Sequence, residues 1–157
     1  MVKKTPYTII VDTREQRMLF TDNIIRKKID TGDYSMEYNG VDYSNKITCE
    51  RKSLIDLYGS LGKGHDRFKR ELHRALDLDY FAIIIDGSYS DCLNKTFPNA
   101  FRSKMKGEVI MSILFTIHLK YGINFFFTNN RTQSKSMINQ IFTTYCKIQD
   151  KKVITHG

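Results

Sequence analysis

A mixed α/β domain, one central mixed β-sheet flanked by helices, is the fold class this sequence predicts, and three observations predict it. The first third of the chain is a run of short β-type segments with one strong hairpin turn. Helical periodicity begins only after Lys52. From there two nearly continuous apolar runs, Tyr80 to Asp86 (YFAIIID) and Ile123 to Thr128 (INFFFT), alternate with amphipathic stretches, as expected for strands buried on both faces between helices.

Taken in order, Tyr7 to Asp12 is β-rich and ends in a carboxylate, and Asn23 to Ile29 is a second strand candidate. Tyr34 to Tyr38 and Val41 to Glu50 flank Asn39-Gly40, a dipeptide suited to the two positive-φ positions of a type I′ turn, so a meander is expected here. Ser53 and Asp56 have capping-box spacing ahead of Leu57, and Phe68, Leu72, Ala75 and Leu76 recur at helical spacing. A broken helix follows, interrupted by Gly59 to Arg67, which reads as a glycine-rich basic loop. Pro98 lies in the one long stretch that reads as irregular. Val109, Ile110, Ile113, Leu114, Ile117 and Tyr121 make one helix face, stopped by Gly122. Ile138, Ile141, Phe142 and Tyr145 make a last stripe, suited either to a symmetric interface or to the protein's own sheet.

A length of 157 residues suits a single domain over residues 1–157, and no repeat or Pro/Gly/Ser-rich linker divides it. Cys49, Cys92 and Cys146 form neither a disulfide framework nor a zinc pattern, which points to a reducing, intracellular compartment. The least interrupted apolar segment, Val109 to Ile117, is far too short to span a membrane. Four dispersed histidines (His65, His73, His118, His156) suggest no metal cluster. Lys and Arg number 25 against 17 Asp and Glu, and the net charge of +8 favours a polyanionic partner, nucleic acid or an acidic membrane surface.

The chemistry-bearing residues are Gly32-Asp33-Tyr34 and the run from Cys49 through Glu50, Arg51, Lys52 and Ser53 to Asp56. If Ile47 to Lys52 is a strand, Glu50 and Lys52 share a face and Arg51 points the other way. Asp33 can bring a second carboxylate against Glu50, and two hard oxygen ligands with open water positions suit Mg²⁺ or Mn²⁺. Asp12 could add a third. On a strand, an E-x-K triplet is otherwise a solvated cross-strand ion pair. An acidic pocket in a basic protein favours the metal reading, because the surrounding charge would hold phosphates while the pocket holds cations.

These residues resemble a known family. Val11-Asp12-Thr13-Arg14-Glu15, Gly32-Asp33-Tyr34 and Glu50-Arg51-Lys52 followed by Asp56 are similar to the signature of the ERCC4-type (XPF/Mus81-like) nucleases, a branch of the restriction-endonuclease-like PD-(D/E)xK fold. The likeness covers about residues 7–146 and is closest in pattern to stand-alone ERCC4-domain proteins of phages and mobile elements, which lack a helix-hairpin-helix domain. It implies a metal-dependent DNA endonuclease acting on branched or flapped DNA, as a homodimer, in the cytoplasm of a bacterial host if phage-encoded, with no membrane or small-molecule cofactor. The resemblance makes Asp33, Glu50 and the Arg51 carbonyl the metal ligands, Lys52 the catalytic lysine, and Asp12, Glu15 and Asp56 an outer acidic shell. Arg14, Lys63, Arg67 and Arg70 would meet DNA. Glu71 departs from the family, where Gln is frequent, and so does Asp86-Gly87, where Glu-Gly is. The gap between Asp33 and Glu50 is long, which the Asn39-Gly40 hairpin explains. Two other readings are a catalytically silent DNA-binding scaffold and a sequence-specific restriction-type nuclease; intact Asp33, Glu50 and Lys52 argue against the first.

Overall fold

The computed structural model describes residues 5–156, the side chains of 153–156 excepted, so His156 lies outside the described side chains. One sheet contains β1 (Thr8–Val11), β2 (Ile24–Arg26), β3 (Tyr34–Tyr38), β4 (Val41–Asp42), β5 (Ile47–Ser53), β6 (Tyr80–Asp86) and β7 (Asn124–Thr128). Its order is β2-β1-β3-β5-β6-β7, with β4 paired to β3. β3 runs antiparallel to β1 and β5, whereas β5, β6 and β7 are parallel. The helices are α1 (Leu54–Leu61), α2 (His65–Ala75), α3 (Tyr89–Asn94), α4 (Gly107–Tyr121) and α5 (Arg131–His156). The fold class is the one the sequence predicts.

Strand alternation divides the core in two. Phe81, Ile83 and Ile85 of β6 pack with side chains of α1 to α4, while Ala82 and Ile84 pack with Ile138, Phe142 and Cys146 of α5. This explains why β6 is apolar at nearly every position. The hairpin also forms as read, with Asn39 at φ 52° and Gly40 at φ 74°.

The differences are local and have local causes. β2 lies parallel to β1, so the opening is not a plain meander. The connection that permits this is pinned by Arg26, whose Nη2 donates to the carbonyls of Thr13 (2.9 Å) and Glu15 (3.0 Å). The expected strand from Val41 to Glu50 breaks into β4 and β5 because Asp42 Oδ1 accepts from Ser44 N (2.8 Å), turning the chain. Gly59 to Arg67 is not a loop: it is the end of α1, a short turn at 62–64 and the start of α2. In the stretch read as irregular, Ser88 caps α3 by accepting from Asp91 N (3.0 Å), and a 3₁₀ turn covers Ala100–Arg102. In the last stripe Ile138 and Phe142 are fully buried against the sheet, so half of it serves the core and not an interface.

Candidate active site

On β5, Ile47 and Cys49 pack toward α5, and the same parity carries Arg51 to that side. There Arg51 pairs with Asp86, whose other oxygen accepts from Ser134 of α5; Ser134 Oγ is 2.8 Å from Thr128 Oγ1. Glu50 and Lys52 share the opposite face, as the sequence predicts, and that face meets α1 and α2. Lys52 Nζ lies 3.3 Å from Glu50 Oε2, donates to Ser60 Oγ (3.3 Å) and sits 5.3 Å above the Phe68 ring. Burial alone would lower the Lys52 pKa, but Glu50 and Glu71 outweigh it and keep the ammonium charged.

Asp33 reaches this pair because of the residue before it. Gly32 has φ +97°, and a Cβ there would stand 2.6 Å from Thr48 Oγ1, so a side chain would push the segment off β5. Asp33 N then donates to Cys49 O (2.9 Å), and Asp33 Oδ2 accepts from Arg51 N (2.8 Å). Within an extended residue N–H and C=O point to the same side, so the Arg51 carbonyl faces the same opening. Burial, then Glu50 and Glu15, push the Asp33 pKa well above the ordinary carboxylate value.

Two adjoining cavities of about 240 and 450 Å³ share Glu50, Arg67 and Glu71 as a common wall. The first also takes in Asp12, Arg14, Glu15, Asp33 and Arg74; the second takes in Arg51, Lys52, Asp56 and Ser60. Of the residues read from the sequence, these cavities thus gather Asp12, Arg14, Glu15, Asp33, Glu50, Arg51, Lys52, Asp56 and Arg67. Lys63 and Arg70 are exposed and line neither, so the structure does not bring them into the pocket. Glu71 and Arg74 were missed, although Arg67, Glu71 and Arg74 follow the i, i+4, i+7 spacing of one helix face.

Asp12 is only 2% exposed, and both its oxygens have protein partners: Oδ2 takes Arg14 Nε (2.7 Å), and Oδ1 takes Ile29 N (2.8 Å). It braces the connection and is not an open third ligand. Burial would raise its pKa, but these hydrogen bonds prevail and lower it. Arg14 is fixed in turn, since its Nη2 donates to Ile29 O (2.8 Å), and its side chain remains 66% exposed.

Among the described residues, no group of three or more His, Cys, Asp or Glu could hold a metal ion. Mg²⁺ does not require one, because it binds through one or two carboxylates together with waters and substrate phosphate. Asp33, Glu50 and the Arg51 carbonyl supply hard oxygens, and Glu50 Oε2 is buried with no hydrogen-bond partner, a donor set that fits Mg²⁺ or Mn²⁺. The three cysteines are free and buried, and His118 Nδ1 is spent on Ile123 O at 2.7 Å. No helix among the described residues is long and apolar enough to cross a membrane.

Comparison with solved structures gives the same architecture. XPF from Aeropyrum pernix superimposes with a TM-score of 0.68 at 22% identity, covering 88% of this chain and 61% of that one. XPF from Aeropyrum pernix in complex with DNA gives 0.63 at 21% identity, covering 90% and 66%. The chain therefore spans about three fifths of the length of the first structure. No curated protein matches the sequence. The ERCC4 domain profile matches residues 11–141, from the end of β1 into α5, so all the pocket side chains lie within the match, and the chain belongs to the ERCC4 domain family.

Proposed function

We propose that this chain is a DNA endonuclease that hydrolyses a phosphodiester bond with the help of Mg²⁺ or Mn²⁺. The observation that carries the reading is the Arg51 N–H bond to Asp33 Oδ2, which sets Asp33 beside Glu50 with Lys52 behind it. Asp33, Glu50 and the Arg51 carbonyl would hold the ion, which when bound supplies a water of lowered pKa and neutralises charge on the transition state. Lys52, kept charged and steadied by Ser60, is positioned to neutralise a phosphate oxygen as negative charge develops. Arg67 and Arg74, with no ion pair among the described residues, and the anchored Arg14 would orient the flanking phosphates.

Branched or flapped DNA is the preferred substrate in this proposal. A flexible strand bends into a recessed pocket at lower deformation cost than stacked duplex. The enzyme acts as a homodimer in the cytoplasm; exposed Val109, Phe115 and Leu119 on α4 and the three free cysteines support these two points. The test is incubation with labelled flap, fork, four-way-junction and linear duplexes in Mg²⁺, Mn²⁺ or EDTA, with light scattering for the dimer. Cleavage of branched substrates that EDTA stops is the expected result. Binding without cleavage would leave the silent scaffold, and discrete cuts in linear DNA the restriction-type nuclease.

A further inference from the structure

A third cavity, of about 450 Å³, opens beside the pocket. Arg14, Asp30 and Arg74 line both it and the cavity that contains Asp33 and Glu50, so the two recesses meet at a common wall. Its other sides include Lys28 from the connection between β2 and β3, Asn45 from the turn ahead of β5, and Asp77 and Leu78 just after α2. That turn is closed on itself, since Lys46 N (2.8 Å) and Ile47 N (3.0 Å) both donate to Tyr43 O, and it belongs to the residues that lengthen the gap between Asp33 and Glu50. Lys28, Asn45 and Arg74 are exposed, and among the described residues none of these side chains has a hydrogen bond or ion pair. Arg14, by contrast, is anchored by Asp12 and the Ile29 carbonyl, which fixes its charge at the passage between the two recesses.

Three cations, two carboxylates, an amide and a leucine suit a ligand that is anionic on one side and offers polar edges and a flat apolar face on the other. We infer that this recess is a subsite for one nucleotide of unpaired DNA strand leading away from the scissile phosphate. Arg14 and Arg74 hold the phosphate at the passage, and Lys28 holds the next one. An unpaired base has a free Watson–Crick edge, whose amino groups donate to oxygens such as those of Asn45 and Asp77, while Leu78 covers part of the ring. The volume lies within the range of sites for single small ligands, about 300–1,000 Å³, and takes one nucleotide but not a base pair with its second strand. The recess thus selects an unpaired strand, which gives the preference for flapped DNA an origin beyond ease of bending.

The inference rests on the proposed DNA nuclease function and is tested by binding, apart from cleavage. Full-length wild type, Lys28→Ala and Asn45→Ala are titrated by fluorescence polarisation, in EDTA, against two labelled probes of one sequence: a duplex with a single-stranded flap, and the same duplex nicked without the flap. Both side chains are exposed, and melting curves check that the variants fold. Each variant should bind the flap about 2- to 10-fold more weakly, the loss of one polar contact, and bind the nicked duplex as wild type does. Equal losses on both probes, or a loss on neither, overturn the subsite, while EDTA-sensitive cleavage by wild type would leave the proposed function intact. Wild type that binds both probes but cuts neither in Mg²⁺ removes the endonuclease reading, and a loss confined to the flap then still supports the subsite. Wild type that binds neither probe removes both.

Discussion

Lys52 stays charged in a setting where burial opposes it, because Glu50 and Glu71 stand close, and Asp33 is crowded by the same carboxylates. Such a cluster serves chemistry better than stability. Glu50→Ala, Asp33→Ala and Lys52→Ala are each expected to lower the cleavage rate by at least about 10²-fold. DNA affinity, measured by fluorescence polarisation, should stay within a few-fold, because phosphate contacts are spread over other side chains. Wild-type rates in the Glu50 or Asp33 variant would remove that residue from the site. Arg51 belongs to a different calculation: its side chain is 14% exposed and its partner Asp86 8% exposed, so Asp86→Ala strands a buried cation. The expected loss is about 3–5 kcal/mol in chemical denaturation. Much of this site was legible, because strand parity separates Glu50 and Lys52 from Arg51 and a glycine marks where Asp33 must approach. Glu71 was noted only as a departure from the family pattern and given no place in the site, since helix periodicity drew attention to Phe68, Leu72 and Ala75 and only the cations of the polar face were read.

Among the elements, the connection from β1 to β2 depends on a few polar side chains. Asp12 holds it through Arg14 and Ile29 N, and its pKa falls below the ordinary carboxylate value of 3.8. A depressed carboxyl pKa contributes stability that is full above the unfolded value and is lost as pH falls through the folded value. Asp12→Asn should therefore cost about 1 kcal/mol near neutral pH, the exposed Arg14 being screened by solvent. The difference from wild type should begin to shrink in melts taken below about pH 3.8 and vanish only once the pH has fallen past the lower folded value. A difference that stays constant however far the pH is lowered below that value would mean the carboxylate charge does not act here. The elements missed from sequence share a cause. The parallel pairing of β2 depends on Arg26 meeting carbonyls far along the chain, and the break after β4 on one Asx turn at Asp42, neither of which periodicity records. The long apolar strand β6 and the cap at Ser53 carry their own local signals, and both were read.

For the whole molecule, the question is where a net charge of +8 is displayed. The pocket is acidic, so the surplus lies around it, and the cleft wall presents Arg14, Arg67 and Arg74. Lys63 and Arg70 lie outside both cavities, although the sequence reading set them beside Arg67 as DNA-binding residues. Charge counting sees only the sum; the helix face of α2 decides which cations line the cavity. DNA binding should weaken with salt along a straight log–log line, with a slope near −0.9 for each phosphate neutralised. Arg67→Ala should make that slope shallower by about 0.9, the loss of one contact. Arg70→Ala should change it less, because that side chain lines neither of the cavities proposed to receive the scissile phosphate. Polarisation titrations across a salt series measure all three proteins. Equal slopes for wild type and the Arg67 variant would take Arg67 off the DNA path, and a wild-type slope near zero would mean that the net charge is not a nucleic-acid footprint at all.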